Sequence, residues 1–149
     1  MKKFKFSLET VLTYKDQILD AVRNEYAALQ AQVAEQEAVL EAVWAQYRAY
    51  NEEFRTRKAE GMSIVDAITY ENGLRVLERD IQRETEKLEE FRKQAEAKRE
   101  EMVEAKKETA SLEKLREKKL DAYEKAIQKS EEQFIEEFVS TTRAAVTGA

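Results

Sequence analysis

Any chemistry on this chain would have to come from carboxylates and amines. Asp and Glu number 31, Lys and Arg 26, and there is no histidine and no cysteine. Carboxylates spaced four apart, such as Glu86 and Glu90, share one face of a helix and could hold a hard cation. Their neighbours are lysines and arginines, however, so most read as the solvated face of a helix. Glu84 is the exception, because its spacing places it on an apolar seam, where a lone carboxylate among basic flanks is structural. Without histidine or cysteine there is no ordinary general base, thiol nucleophile or zinc ligand. No glycine-rich phosphate loop occurs, with three glycines in all. We therefore expect no enzyme, no catalytic residues, no cofactor and no metal site.

The net charge of −5 argues against nucleic acid, which selects a basic face. No apolar run approaches the roughly 18 residues of a membrane span. The start, Met1 to Phe6, is basic and aromatic but lacks the apolar stretch of a secretory signal. It reads as a frayed terminus, with a membrane-touching tip as the sharper alternative. Absence of cysteine is compatible with the cytoplasm.

The elements that carry these charges are helices. Ala, Glu, Lys, Leu and Arg make up more than half the chain and proline is absent, the composition of a long coiled coil. The stretch from Ala59 to Ser63 is where the pattern stops. Before it, Leu12, Leu19, Tyr26, Val33, Leu40, Tyr47 and Phe54 recur every seven residues. Lys15, Val22, Leu29, Gln36, Val43, Tyr50 and Arg57 follow three positions later. After it come Ala67, Leu74, Ile81, Leu88, Ala95, Met102 and Thr109, with Tyr70, Leu77, Glu84, Phe91, Lys98, Ala105 and Leu112. Trp44 lies beside the first seam, as a flank cover or a partner contact. Gly73 lies outside the second seam.

These signals predict an all-α fold, a long antiparallel two-helix coiled-coil hairpin with a longer second helix, forming one domain over 1–149. The first helix is expected over about 7–58, capped by Ser7 and stapled by Phe6 and Val11. The hinge is 59–63, with Gly61 ending one helix and Ser63 capping the next. The second helix is expected over about 64–139, then a disordered tail over 140–149. Folding back about Met62 puts Phe54 against Tyr70, Tyr50 against Leu74, Tyr47 against Leu77 and Val43 against Ile81. Further along, Leu40 meets Glu84, Gln36 meets Leu88, Leu29 meets Ala95 and Leu12 meets Leu112. Gln36, polar in mid-seam, is expected to fix register.

The first helix runs out near the partner of Arg116. Beyond it Leu120, Tyr123, Ile127 and Phe134 continue in a shifted phase, a stutter, with Ile135, Phe138 and Val139 nearby. Either Phe4 and Phe6 fold over the start of this overhang and the rest frays, or the overhang binds another protein.

The chain resembles the FliJ family of the bacterial flagellar type III export apparatus. Phe4-Lys5-Phe6-Ser7-Leu8-Glu9-Thr10-Val11-Leu12 is similar to the family's F-x-F-x-L-x-x-V-L opening. A glycine follows some fifty residues later, then the run Tyr70, Leu74, Leu77, Ile81. Leu112-Glu113-Lys114-Leu115 and Tyr123 follow in order. The resemblance implies a non-enzymatic stalk and escort linking the export ATPase to the membrane export gate and aiding delivery of substrate–chaperone complexes. It implies as partners that ATPase, the cytoplasmic domain of the gate and the export chaperones. It implies a cytoplasmic protein, peripherally associated with the inner face of the cell membrane through the export apparatus. Gate contact falls on Tyr47, Tyr50, Phe54, Tyr70 and Leu77, with Gly73, Asp80 and Glu84 departing from the family's pattern. ATPase contact, on the hairpin end that carries both termini, falls on Leu120, Tyr123, Ile127, Phe134 and Phe138.

Two further readings remain open from the residues: a generic coiled-coil spacer or dimerisation module, and the equivalent stalk of a virulence secretion system. A prefoldin-like holdase would need β-hairpins, and no strand pattern occurs.

Overall fold

The computed structural model describes residues 3–148. Met1 and Lys2 of the expected frayed start, and Ala149 of the expected tail, lie outside the described residues. The architecture is an antiparallel hairpin of two helices, α1 (Glu9–Glu60) and α2 (Ile64–Thr147), the second longer by far. By packing, the chain falls into two compact units, Asp20–Val103 and Met1–Leu19 with Glu104–Ala149.

The hinge forms for local reasons. Gly61 takes φ +97°, a left-handed conformation that costs an L side chain energy, and donates its amide to Lys58 O at 3.2 Å. Ser63 Oγ then accepts from Asp66 N at 3.1 Å, capping α2. Arg57 and Lys58 end α1 and Asp66 begins α2, each complementing its helix dipole.

Burial follows the expected seams. In the unit spanning 20–103 the buried positions are Val22, Gln36, Phe54, Tyr70, Ile81, Glu84, Leu88 and Ala95. Phe54 and Tyr70 pack ring on ring at 5.2 Å, as the fold-back register requires. In the other unit Phe6, Leu12, Leu19 and Thr109 are buried. Lys15 Nζ reaches Glu108 at 2.7 Å and Arg116 Nε reaches Glu9 at 2.9 Å. Lys15, at a seam position, is thus half-buried with its ammonium paired to a carboxylate.

Three boundaries differ from the sequence reading. The helix begins at Glu9, after a turn at Ser7 and Leu8, with Leu12 N bonding to Leu8 O at 2.8 Å. Phe6 is drawn into the core and its carbonyl takes Glu9 N, which moves the start past Ser7 and leaves Val11 exposed. At the hinge α1 runs to Glu60 rather than 58. At the far end, residues 140–147 are helix rather than tail. There Thr142 Oγ1 bonds back to Phe138 O and Thr147 Oγ1 to Arg143 O, each at 2.8 Å. Hydroxyls turned onto the preceding turn do not compete for backbone amides, and Ala144 and Ala145 favour the helix.

Gly73 has a reason that its position in the pattern hides. A Cβ there would come within 2.7 Å of Tyr50 Cε1 and Cζ and closer still to the hydroxyl. The glycine lets the Tyr50 ring lie on the α2 backbone, 5.0 Å from the Tyr70 ring. Helix propensity alone would reward Gly73→Ala by about 1 kcal/mol. We expect instead a net loss of about 1 kcal/mol or more, because the ring must leave its seat. Urea denaturation reads the sign. In a Tyr50→Ala background the same substitution should stabilise.

Candidate protein-interaction surfaces

Two groups of residues stand out, one in each unit. Near the hinge, α1 and α2 bring together Tyr47, Tyr50, Phe54, Tyr70 and Leu77. They are not equally available. Phe54 is 5% exposed, and Lys58 Nζ sits 4.5 Å above its ring. Tyr70 is also buried and donates its hydroxyl to Glu53 Oε1 at 2.9 Å. Burial first, then that hydrogen bond, raises its phenol above the ordinary value. Tyr50 covers Gly73, with its hydroxyl a long 3.5 Å from Thr69 O. Tyr47 and Leu77 are half-buried, and Trp44, 39% exposed, meets Tyr47 edge to face at 5.8 Å. The half-exposed part of the group is therefore Trp44, Tyr47, Tyr50 and Leu77, while Phe54 and Tyr70 are buried between the helices.

Deeper in this unit Gln36 Nε2 donates to Glu84 twice, to the carboxylate at 2.6 Å and to the backbone carbonyl at 3.0 Å. Arg83 and Lys87 stand 3.7 Å from the other carboxylate oxygen. The Gln36 hydrogen bond is the main reason the Glu84 carboxyl lies below its usual range, with burial opposing it and the two cations adding to it. The polar pair is thus buried and hydrogen-bonded across the two helices. Among the described residues no cluster of three or more carboxylates gathers as a metal site. No helix among the described residues is long and apolar enough to cross a membrane.

The second group lies on α2 near the termini. Leu120, Tyr123 and Ile127 are half-buried. The segment before α1 crosses here: the Phe4 ring meets Tyr123 at 5.6 Å, and the Arg116 guanidinium lies 5.7 Å from the same ring. Leu115 and Arg116 are both half-buried, which is where the seam changes phase. Of the two readings of the overhang, the first holds for its start, since Phe4 and Phe6 do fold over it. The rest is helical, and Phe134, at 69% exposure, Ile135, Phe138 and Val139 are exposed on it.

Sequence reasoning missed a third surface. Ile64, Val65, Ile68 and Val76 are all exposed, Ile64 at 79%. They fall on one side of α2, away from the seam residues Ala67, Tyr70, Leu74 and Leu77. The spacing i, i+1, i+4 and i+12 was readable, but the stronger seam period masks it.

These residues lie on a two-helix hairpin that leaves several large apolar side chains exposed along α2. The chain belongs to the FliJ family: the family model described as "Flagellar FliJ protein" matches residues 4–145. Membership gives it an export-related flagellar role. No curated protein and no solved structure matches the chain.

Proposed function

We propose that this chain is the non-enzymatic stalk and escort of a bacterial flagellar type III export apparatus. It joins the export ATPase to the cytoplasmic domain of the membrane export gate and aids delivery of substrate–chaperone complexes. In this reading it works in the cytoplasm, held peripherally at the inner face of the cell membrane, and its loss abolishes swimming motility. The observation that carries the reading is the α2 segment beyond Ser130, which presents Phe134 and Phe138 to solvent in a chain of this family. Buried apolar anchors dominate most interfaces, and these two are the largest side chains left exposed on that segment. Leu120, Tyr123 and Ile127 support the base of the same surface. Trp44, Tyr47 and Leu77 are the residues offered to the gate, with Tyr50, Phe54 and Tyr70 shaping the backbone beneath them.

Removing residues 131–149 should abolish capture of the export ATPase in a pull-down. A cut at this point leaves Tyr123 in place for Phe4, so circular dichroism should still report a folded hairpin. Undiminished capture by the shortened chain would overturn the assignment of this segment.

A further inference from the structure

The segment before α1 crosses α2 near the termini and leaves an open cleft of about 1060 Å³ beside it. Both walls belong to one compact unit. They carry three lysines, Lys3, Lys5 and Lys119, and three aromatic rings, Phe4, Phe6 and Tyr123, with no carboxylate among the described residues. The Phe4 ring lies 5.6 Å from that of Tyr123, and Phe6, at 8% exposure, anchors the segment. Ordinary ligand sites enclose roughly 300–1,000 Å³, so the cleft has room for more than a single ion.

All three lysines are exposed, and none forms an ion pair among the described residues. On a helix, side chains three and four positions away are the ones that reach a lysine. For Lys119 these are Leu115, Arg116, Ala122 and Tyr123, and none is acidic. Glu9, in the first turn of α1, is taken by Arg116 at 2.9 Å, and Asp121 by Lys125 at 3.1 Å. Glu117, Asp121 and Glu124 all stand about 120° or more around the helix from Lys119. In a chain of net charge −5, the cleft is a local basic site with an aromatic floor.

We infer that this cleft binds an acidic peptide segment of a partner protein, one that carries an aromatic or large aliphatic side chain among its carboxylates. The carboxylates meet Lys3, Lys5 and Lys119, and the apolar side chain enters against Phe4 and Tyr123. The lysines come from two separate stretches of chain, so a peptide that bridges them also fastens the segment before α1 onto α2. An anionic membrane is the competing occupant. Its headgroups would suit the lysines, but an interfacial site also gives apolar side chains to the bilayer. Here Phe6 is buried and Phe4 is half-buried against Tyr123. Nucleic acid would have to accept the carboxylates on the other side of the same helix, against its demand for a basic face. The cleft serves an acidic peptide whether or not the far end of α2 captures an ATPase.

Fluorescence anisotropy on the full-length protein tests this with a fluorescein-labelled peptide of sequence Asp-Glu-Glu-Phe-Glu-Asp-Phe-Glu-Asp. The probe should bind in low salt, and added salt should weaken it. Lys3→Glu/Lys5→Glu/Lys119→Glu should weaken binding at least about tenfold, since each attraction becomes a repulsion. Lys119→Glu alone, which leaves the segment before α1 untouched, should give part of that loss. Lys93→Glu/Lys106→Glu/Lys107→Glu changes the net charge equally and should leave binding nearly as it was. All six lysines are exposed, and circular dichroism confirms that the helices persist. A probe with alanine in place of both phenylalanines should bind more weakly than the parent. Absence of binding overturns the inference, as does an equal loss in the two triple variants, which would mean attraction by net charge alone. An alanine probe that binds as well as the parent removes the apolar seat. Capture of the protein by phosphatidylglycerol vesicles without binding of the peptide would make the site a membrane contact and overturn it too.

Discussion

Phe54→Ala is expected to cost the hairpin about 3 kcal/mol or more, the largest loss from any single side chain near the hinge. Phe54 is 5% exposed, with the Tyr70 ring 5.2 Å away and Lys58 Nζ 4.5 Å above its own ring. A two-helix seam has only one layer of side chains at each level, so a hole there opens to water. Urea denaturation followed by circular dichroism should show a lower midpoint. Tyr70→Phe keeps the ring stack and removes only the hydroxyl bonded to Glu53, so its loss should be much smaller. Tyr47→Ala and Leu77→Ala remove half-buried side chains and should fall between the two. This ordering matters for function. If export-gate binding fails in Phe54→Ala and Leu77→Ala alike, only the Leu77 result speaks of contact, because the Phe54 variant has already lost its fold near the hinge. A Phe54→Ala midpoint equal to wild type would show that the ring is not part of the seam.

The seam and the hinge were legible because both are local or periodic. Thirteen seam positions of α1 from Leu12 to Phe54 follow a seven-residue repeat, and every one is buried or half-buried. Gly61 followed by Ser63 is a helix stop and start that needs no knowledge of the rest of the chain. What escaped depends on contacts the repeat does not encode. Gly73 is explained by a ring from the other helix, Tyr50, and a lone glycine in a helical run gives no sign of that. Residues 140–147 look like a tail by composition, yet their threonines bond inward to the preceding turn. The interaction groups were legible as residue types and only partly as surfaces. Register already placed Phe54 and Tyr70 in facing layers, and burial shows that they spend their apolar area on each other. The outer stripe from Ile64 to Val76 was hidden because a helix with one strong apolar face is rarely searched for a second.

Replacing both Gln36 and Glu84 by leucine is expected to raise thermal stability while loosening the choice of partner and register. The pair is buried, at 8% and 9% exposure, and satisfies itself across the helices. Leucines of similar size would remove the cost of drying an amide and a carboxylate. They would also make this level of the seam like its neighbours, so that a slipped hairpin or a dimer of chains becomes competitive. Light scattering on the eluting protein should then show dimers that the wild type lacks. Glu84→Leu alone should do the opposite and destabilise, since the buried Gln36 amide loses its carboxylate acceptor and keeps only the backbone carbonyl of residue 84. The pH profile carries a second signature. The Glu84 carboxyl lies below its usual range in the fold, so the unfolded chain binds more protons as the medium turns acid. Its contribution is complete above the ordinary carboxylate range and is lost as pH falls through the lowered folded value. Lys15 and Lys98 carry the opposite sign. Their pKa values are raised, chiefly by hydrogen bonds to Glu108 and Glu25, so their contribution is complete below the ordinary lysine range and is lost as pH rises through the raised values. The wild type should therefore weaken at both extremes, and the double leucine variant should lose part of the acid limb while keeping the alkaline one. A double variant with the wild-type acid limb and a single monomeric register would remove Gln36 and Glu84 as the determinant of pairing.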